Sequence, residues 1–434
     1  MIKPLSFITY NMISLKNIRE NKDTISEKLK SKNFDITKID KVLKLDSNWR
    51  EGVVQVEKLK GKRNSASKQI SINKKENKPT DDIIEEMQNV SSEIKQIDVK
   101  NIEIKADIDS LLLDFPNIPN ESVPIGVDES SNKVIRSWGE KPSFDFEIQS
   151  HIDIAESLDL LNFKAGSKIS GSGFPVYIDR GAKLERSLIN FMLDMHTSNG
   201  YREMFPPFLV SGESMQTTGQ LPKFIDDMYD IPKDELFCIP TAEVPVTNYY
   251  RSDEIDESKL PIKFAAYSAC FRREAGSYGK DTRGLLRLHQ FNKVELVKFV
   301  HPDTSYDELE SLVEDAEKVL QTLGLHYRVI ELCTGDLSFS AAKCYDIEVW
   351  SPYENKYLEV SSCSNFEAFQ SHRGSMRFRS SDTGKMEYIH TLNGSGVATP
   401  RLMVALIENY QQKDGTISIP SALHDYMNIP SISK

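Results

Sequence analysis

The longest regular pattern of apolar and polar positions runs over residues 36–114. Apolar side chains recur there at steps of three and four residues, with charged and amide side chains between them, which is typical of helices packed along one seam. Asn77-Lys-Pro-Thr80 interrupts the pattern, and Thr80 followed by two aspartates is suited to the start of a second helix. The sequence therefore predicts an antiparallel two-helix coiled-coil arm, with helices of about 35 residues and a length on the order of 50 Å.

Two positions are unusual in the predicted seam. Asn101 occupies a seam position of the second helix, where a polar side chain fixes the register at a cost in stability. Gly52, together with Arg63, is expected to interrupt the seam of the first helix. Upstream, residues 12–34 predict one amphipathic helix followed by a loop. Residues 1–11 fit no element, so we expect Met12, and not Met1, to be the functional start.

The pattern changes after a proline-rich linker at residues 116–130. Short alternating runs predict strands over residues 201–210, 267–272, 286–299, 328–332, 344–350, 356–362 and 387–393. Helices are predicted over residues 181–199, 213–220, 303–323 and 399–411, the last entered through Gly394-Ser-Gly396. Neighbouring strands without βαβ alternation indicate an α+β fold. We expect an N-terminal domain at residues 1–115, which contains the arm, and an antiparallel sheet flanked by helices at residues 131–434.

Composition and charge exclude several classes of protein. The net charge is −11 over 434 residues, so any contact with nucleic acid must be local. The five cysteines are odd in number and none is spaced as C-x-x-C, which argues against a disulfide framework and a cysteine-rich zinc site. No apolar run approaches the roughly 20 residues of a membrane span. No P-loop or Rossmann glycine motif is present. We expect a cytoplasmic protein without a membrane partner.

Basic side chains are concentrated at the predicted tip of the arm. Over residues 58–78 a group of cations is opposed only by Glu76: Lys58, Lys60, Lys62, Arg63, Lys68, Lys74, Lys75 and Lys78. A solvated helix face would be an equally simple explanation for the lysines. The side-chain charges of the second predicted helix are mixed or acidic, however, so the basic charge lies on one side only. One-sided basic charge on an arm in solvent is suited to a phosphate backbone, so the sequence predicts an RNA contact at the tip.

A second concentration of charge surrounds two predicted strands of the later domain. Arg272, Glu274, Arg287, His289 and Glu295 lie close together in sequence, around a glycine-containing loop too long for a tight hairpin turn. A charged solvent face of a sheet is one interpretation. The alternative that we favour is a site that binds an anion and a cation side by side, because closing a sheet does not need so many charged groups. A nucleotide and an amino acid would need such a site.

Several short stretches, in fixed order, resemble one family. They are Thr241-Ala-Glu-Val-Pro245, Phe271-Arg-Arg-Glu274, His289-Gln-Phe-Asn-Lys-Val-Glu-Leu-Val-Lys-Phe299, Cys333-Thr-Gly-Asp336, Ala341-Ala-Lys-Cys-Tyr-Asp-Ile-Glu348, Ser361-Ser-Cys-Ser-Asn365 and Thr391-Leu-Asn-Gly-Ser-Gly-Val-Ala-Thr-Pro-Arg401. With the arm and the linker, they resemble the seryl-tRNA synthetases of the bacterial type, which are class II aminoacyl-tRNA synthetases. The resemblance extends from about Met12 to Met427.

The resemblance implies a fold, an assembly and a reaction. It implies the class II synthetase domain and a homodimer whose interface includes Pro206 and the helix that begins at Gly181. The implied reaction uses ATP and Mg²⁺ to convert L-serine into seryl-adenylate and pyrophosphate. The seryl group then passes to the terminal ribose of tRNA(Ser), and to a selenocysteine tRNA where one exists.

The resemblance also implies the residues of the site. The serine site is Thr241, Ala242, Glu243, Glu295 and Ser395. The ATP site is Arg272, Arg273, Glu274, Leu288, His289, Gln290, Phe291, Glu359, Val360, Ser361, Ser362 and Arg401, with Glu359 and Ser362 at the magnesium. Arg272 and Arg401 are expected to be catalytic, because an attack of a carboxylate on a phosphate brings two anions together. Arg273, where a small residue is frequent, and Thr399-Pro400, where Val-Gly is usual, depart from the family pattern.

Serine differs from alanine only by a hydroxyl group. A pocket that hydrogen-bonds this group can discriminate by a factor on the order of 10⁴. We expect Glu295 to bind the hydroxyl and Ser395 to exclude larger side chains. An ion pair of Glu295 with Lys293 or Lys298 is not expected, on the argument that strand neighbours at odd spacing point to opposite faces. His289 is expected to be a wall of the nucleotide site and not a general base.

Two other functions stay open at this stage. A ligase that loads an amino acid onto a carrier protein would share the catalytic domain but should lack the basic arm. A coiled-coil interaction protein with a degenerate catalytic fold should have lost Arg272 or Arg401, and both are present.

Overall fold

A computed structural model describes residues 15–275 and 283–434 of the protein. These residues form two compact units, one with residues 15–30 and 34–115 and the other with residues 31–33 and 116–434. Met12, Gly276 and Gly279 lie outside the described residues, so the predictions on the start and on that part of the loop stay predictions. Within the described ranges, no helix is both long and apolar enough to cross a membrane.

The first unit is a long helical hairpin on a small helical base. Its helices are α1 (Leu15–Glu20), α2 (Lys22–Ser31), α3 (Thr37–Lys75) and α4 (Asp81–Leu113). The predicted coiled-coil arm is confirmed, with 39 and 33 residues in its long helices. The single upstream helix is wrong, because the chain bends at Asn21 between α1 and α2. Thr80 is the N-cap residue of α4, but its side chain makes no capping hydrogen bond.

The seam of the arm has one polar level. Val56 and Met87 belong to an apolar cluster farther toward the tip. Asn101 of α4 is buried, and a Cβ atom built on Gly52 of α3 would lie 2.2 Å from the Asn101 Oδ1 atom. The predicted interruption of the apolar seam at Gly52 is therefore present, and it is shared with Asn101 of the facing helix. The missing side chain of Gly52 provides the space that the Asn101 amide occupies.

The base of the arm has its own buried core. Its fully or almost fully buried apolar residues are Ile18, Ile25, Leu29, Ile39, Val42, Ile108, Leu112 and Phe115. Arg19 of α1 donates hydrogen bonds of 2.9 and 2.8 Å to the two carboxylate oxygens of Asp46 in α3. The arm that extends beyond this base therefore begins after Asp46 and ends before Ile108.

The second unit is an α+β domain. Its strands are β1 (Lys133–Trp138), β2 (Leu161–Asn162), β3 (Val176–Tyr177), β4 (Arg202–Met204), β5 (Leu209–Ser211), β6 (Asp230–Ile231), β7 (Leu236–Cys238), β8 (Glu254–Ile255), β9 (Ile262–Phe271), β10 (Gln290–Val300), β11 (Tyr327–Glu331), β12 (Lys343–Ser351), β13 (Lys356–Asn365), β14 (Arg377–Arg379), β15 (Met386–Tyr388), β16 (His390–Ala398), β17 (Ile417–Ser418) and β18 (Ser431–Ile432). Its helices are α5 (His151–Ser157), α6 (Phe163–Ser170), α7 (Asp179–Ser198), α8 (Gly212–Thr217), α9 (Glu243–Thr247), α10 (Ser305–Thr322), α11 (Phe369–Gly374), α12 (Thr399–Asn409) and α13 (His424–Met427).

An eight-stranded sheet forms the centre of this unit. The strand order is β1-β11-β12-β13-β16-β10-β9-β4. All neighbours are antiparallel except β4 and β9 at one edge. Residues of α7, α10 and α12 share one large apolar cluster with Leu296 of β10, Cys363 of β13 and Leu392 of β16. Because strand side chains alternate, Glu295 and Ser395 lie on the opposite face of the sheet.

Two predicted strands are wrong as single elements. Residues 201–210 form β4 and β5, separated by Pro206 and Pro207, which cannot donate hydrogen bonds to a ladder. Residues 387–393 are divided between β15 and β16, which belong to different sheets. Gly394-Ser-Gly396 lies inside β16 and not in a loop before α12. The other predicted strands and helices of this unit are present with shifted ends.

Candidate active site

Polar side chains of the central strands line a cavity on the sheet face opposite to the apolar cluster. Lys293 and Glu295 of β10, Asn393 and Ser395 of β16 and Ser362 of β13 contribute to a cavity of about 540 Å³, here called the first compartment. A second compartment of about 240 Å³ adjoins it. The two compartments share a wall formed by Arg272, Glu274, Arg287, Lys293, Glu359 and Ser395. A molecule in each compartment would meet its neighbour at this wall.

Two buried carboxylates lie side by side in the first compartment. The Asn393 amide donates to Glu243 Oε2 at 3.1 Å and to Glu295 Oε1 at 2.9 Å. Thr241 Oγ1 donates to Glu295 Oε2 at 2.9 Å, and Gln370 Nε2 donates to Glu243 Oε1 at 2.6 Å. Burial, and next the charge of Glu295, raises the pKa of Glu243 to about 7. A ligand cation between these carboxylates would stabilise their ionised forms.

Glu295 also forms an ion pair with Lys293, whose side chain is 8% exposed. The expectation that Glu295 avoids this pair is wrong, because residues 293 and 295 are two apart on β10 and share a face. Lys298 is three residues from Glu295 and lies on the other face. Its ammonium contacts Glu308 at 2.9 Å, as the alternation of a strand requires.

Guanidinium groups line the shared wall and the second compartment. The Arg272 guanidinium lies 5.2 Å from the centre of the Phe291 ring, and its Nε donates to the Pro240 carbonyl at 3.4 Å. Arg401 Nη1 donates to the Glu359 carbonyl at 2.7 Å and lies 3.6 Å from the Glu359 carboxylate. Two cations that act on the same small space are suited to a polyphosphate, which needs positive charge from more than one side.

A carboxylate of the shared wall and a hydroxyl group of the first compartment offer oxygen ligands for a cation. Glu359 lines both compartments and Ser362 lines the first. Asp346 is paired with Ser362 in the sheet register, and burial followed by the charge of Glu359 raises the pKa of Asp346 well above its usual range. Oxygen ligands of this kind fit Mg²⁺, and a cation there would offset the repulsion between the two carboxylates. Ser362 Oγ also lies 3.1 Å from Cys344 Sγ.

Most predicted site residues line one of the two compartments. Thr241, Glu243, Glu295, Ser362 and Ser395 line the first, and Leu288, Phe291, Val360 and Arg401 line the second, with Arg272, Glu274 and Glu359 in the shared wall.

The side chains of five predicted residues are not part of these walls in the described structure. Ala242 is buried in an apolar cluster on the β9 side, and the Arg273 guanidinium lies 5.9 Å from the Tyr229 ring. His289 stacks on Phe174 at 5.2 Å and lines neither compartment, so its place at the nucleotide site stays a prediction. Gln290 is exposed, and Ser361 Oγ donates to the Ser395 carbonyl at 2.6 Å from the other side of the sheet.

Several polar residues in or next to the first compartment were not predicted, among them Lys293, Asn393 and Gln370. Lys293 and Asn393 share a face with the predicted residues Glu295 and Ser395, so the two-residue period of a strand contained the signal. Gln370 lies on α11, and no local pattern connects it with Glu243. Its position depends on the tertiary packing of α11 and could not be predicted from periodicity.

Comparisons with known proteins agree with this geometry. The chain matches the sequence model of the seryl-tRNA synthetase N-terminal domain over residues 12–119 and that of the class II core domain of tRNA synthetases (G, H, P, S and T) over residues 224–410. The serine–tRNA ligases of Carboxydothermus hydrogenoformans and Bacillus subtilis are each 52% identical, covering 98% of this chain and 100% of their own lengths.

A solved structure extends the similarity to three dimensions. Seryl-tRNA synthetase from Pyrococcus horikoshii, complexed with ATP, has a TM-score of 0.93 at 34% identity and covers 97% of this chain and 99% of its own. The predicted class II fold with an N-terminal coiled-coil arm is confirmed. The chain belongs to the seryl-tRNA synthetase family, a family of ATP-dependent class II ligases.

Proposed function

We propose that the protein activates L-serine with ATP as seryl-adenylate and transfers the seryl group to tRNA(Ser). The observation that carries this proposal is the pair of buried carboxylates, Glu243 and Glu295, next to Arg272 in the shared wall. An amino acid presents an ammonium and a carboxylate at a short distance from each other, and these charges complement the two sides of the first compartment. The serine–tRNA ligase activity of close relatives over the full chain supports it.

In this proposal each compartment binds one substrate. The serine ammonium lies against Thr241 and Glu243, and its hydroxyl donates to Glu295, while Ser395 limits the size of the side chain. ATP occupies the second compartment, with its base near Phe291 and its phosphates between Arg272 and Arg401. The ATP complex of the Pyrococcus horikoshii enzyme supports a nucleotide site in this fold.

The shared wall is then the place of the reaction. A carboxylate oxygen of serine attacks the α-phosphorus, the bond between the α- and β-phosphates breaks, and pyrophosphate leaves with the bonding electrons. Arg272 and Arg401 reduce the repulsion between the two anions without moving, which is the main requirement of this step. Glu359 and Ser362 would hold Mg²⁺, which neutralises phosphate charge when bound. In the second step a ribose hydroxyl of the tRNA attacks the seryl carbonyl and AMP leaves.

The arm is proposed to bind the phosphate backbone of the tRNA. Lys58, Lys68, Lys74 and Lys75 are exposed and form no ion pair with any described residue. Their ammonium groups are therefore free to displace counterions from RNA.

We further propose a homodimer that acts in the cytoplasm. Near the β4 edge of the large sheet, Phe205 is 74% exposed, and Leu209 and Tyr249 are also exposed. Exposed aromatic residues of this size are typical of protein interfaces. The interface expected around α7 and Pro206 would cover this edge.

Serine-dependent exchange between ATP and pyrophosphate tests the function directly. The full-length protein, with a panel of amino acids, is expected to exchange only with serine at full rate and only when Mg²⁺ is present. Alanine leaves the hydroxyl acceptor unpaired and threonine is too large, so both should support exchange poorly. Equal exchange with another amino acid would contradict the assignment.

A further inference from the structure

A buried cation, Lys293, lies where the two compartments meet. The residue is 6% exposed and lines both of them. Arg272 and Arg287 line the same wall, but Arg287 forms an ion pair of 2.8 Å with Glu274. Position and burial thus place the Lys293 ammonium beside the point at which a carboxylate in the first compartment would approach a phosphate in the second.

The contacts of Lys293 use only part of its ammonium. Among the described residues, its one ionic partner is Glu295, through Oε2. A lysine ammonium carries three N–H donors, so two remain for further acceptors. By contrast, Lys298 on the same strand is also buried, but its ammonium has three acceptors: the Glu308 carbonyl, the Glu308 carboxylate and Ser311. The difference indicates that Lys293 has bonding capacity for a ligand in the cavity, whereas Lys298 is saturated within the protein.

We propose that Lys293 binds the carboxylate of serine while it keeps its contact with Glu295. This proposal rests on the proposed function, because it requires serine in the first compartment. The ammonium offsets the negative charge of the attacking carboxylate and holds Glu295 in place as the acceptor for the serine hydroxyl. The oxygen–phosphorus bond forms and the bond between the α-phosphorus and the leaving pyrophosphate breaks as described above, and Lys293 forms no covalent bond in the step.

The proposal predicts that loss of Lys293 weakens the binding of serine more than the binding of an analogue without a carboxylate. Serinamide keeps the ammonium and the hydroxyl but carries a neutral amide. Lys293→Gln in the full-length protein should weaken calorimetric binding of serine by about 10- to 100-fold, the range expected for one charge-assisted hydrogen bond. Binding of serinamide, measured at a pH where both ligands carry an ammonium, should change much less. Lys293→Arg, which keeps the charge, should restore part of the preference for serine.

Lys298→Met is the matched control. It removes a buried lysine from the same strand, so it should lower the melting temperature but leave the affinities for serine and serinamide in their original ratio. Equal losses of serine and serinamide binding in Lys293→Gln would mean that Lys293 only orients Glu295, and would overturn the proposal. An unchanged preference for serine would overturn it as well. If the wild-type protein bound no serine and catalysed no exchange, the proposed function itself would fail, which is a distinguishable result.

Discussion

At the residue scale, the chemistry of the first compartment depends on two carboxylates that share one amide. Asn393 donates to Glu243 and to Glu295, but an amide cannot neutralise either charge. Lys293 forms an ion pair with Glu295, whereas among the described residues the Glu243 carboxylate accepts side-chain hydrogen bonds only from the neutral amides of Gln370 and Asn393. Burial, and next the charge of Glu295, raises the pKa of Glu243 to about 7, so Glu243 can take up a proton near neutral pH.

Serine binding is expected to release this proton. With a pKa of about 7, Glu243 is protonated in the free protein at lower pH, and the serine ammonium favours its ionised form. Serine affinity should therefore rise with pH up to about 7, by as much as tenfold per pH unit, and level off above it. Calorimetry in buffers of different ionisation enthalpy should detect the released proton below pH 7. Glu243→Gln should abolish the release; a pH-independent affinity in the wild-type protein would contradict this assignment.

Two arginines are expected to be essential for the first step. Arg272→Ala or Arg401→Ala should each reduce exchange by at least about 100-fold, the range for removal of one preorganised group that stabilises a transition state. Arg273→Ala is the matched control, because the Arg273 guanidinium lies against Tyr229 and lines neither compartment. Thermal melting of all three variants should show folded proteins. Full exchange activity without Arg272 or Arg401 would remove that residue from the phosphate site.

Much of the site could be predicted at this scale, and the exceptions have physical causes. Charged residues near a strand pair, together with the family resemblance, indicated Arg272, Glu295 and Arg401. The resemblance could not say which residues act through a side chain: His289 stacks on Phe174, Ser361 donates to the Ser395 carbonyl, and neither lines a compartment. The direction of a side chain on a strand depends on the alternation of the strand and on local bulges. The sequence alone determines this direction only when the register of the strand is known.

At the element scale, periodicity predicted the long helices well because their pattern repeats many times. It failed where two short elements adjoin, as in residues 201–210 and 387–393, because a strand of three residues contains too little of its period to be separated from its neighbour. The position of Gly52 opposite Asn101 was missed for a different reason. Its effect depends on Asn101 of the other helix, and a pattern within one helix cannot contain that information.

The Gly52–Asn101 pair can be tested as a unit. Gly52→Ala alone should not stabilise the arm, because the new Cβ atom would meet the Asn101 amide. In an Asn101→Ala background, the same change should stabilise it by about 1 kcal/mol, since alanine has the higher helix propensity. Urea unfolding followed by far-ultraviolet circular dichroism gives both effects. Equal effects in the two backgrounds would show that the residues are not coupled.

At the scale of the whole molecule, the arm can be removed without disturbing its base. Cutting at residues 38 and 109 would take away Val42 and Asp46, which are buried with α1 and α2. Replacing residues 53–100 with a short Gly/Ser link removes all eight tip cations and leaves that base intact. Exchange should persist near the parent rate, because both compartments lie in residues 116–434.

Aminoacylation of tRNA(Ser) by the shortened protein should collapse, and tRNA affinity of the parent should fall steeply with salt. Lys74→Glu, Lys75→Glu and Lys78→Glu together should reproduce part of this loss in the intact arm. Undiminished aminoacylation by the shortened protein would show that the arm is not needed for charging tRNA(Ser).

The polar level at Gly52 and Asn101 has a consequence for how the arm can change its reach. From this level to the helix ends at the tip, α3 and α4 each run for about 30–35 Å at 1.5 Å per residue. An insertion in one helix alone would change the partner of every seam residue between the Gly52–Asn101 level and the tip. Seven residues added to both helices at once would preserve the knobs-into-holes packing of the seam. The insertion would move the cations at the tip outward by about 10 Å. The arm can therefore change its length in steps of seven residues per helix, whereas intermediate lengths would disrupt the packing of its helices.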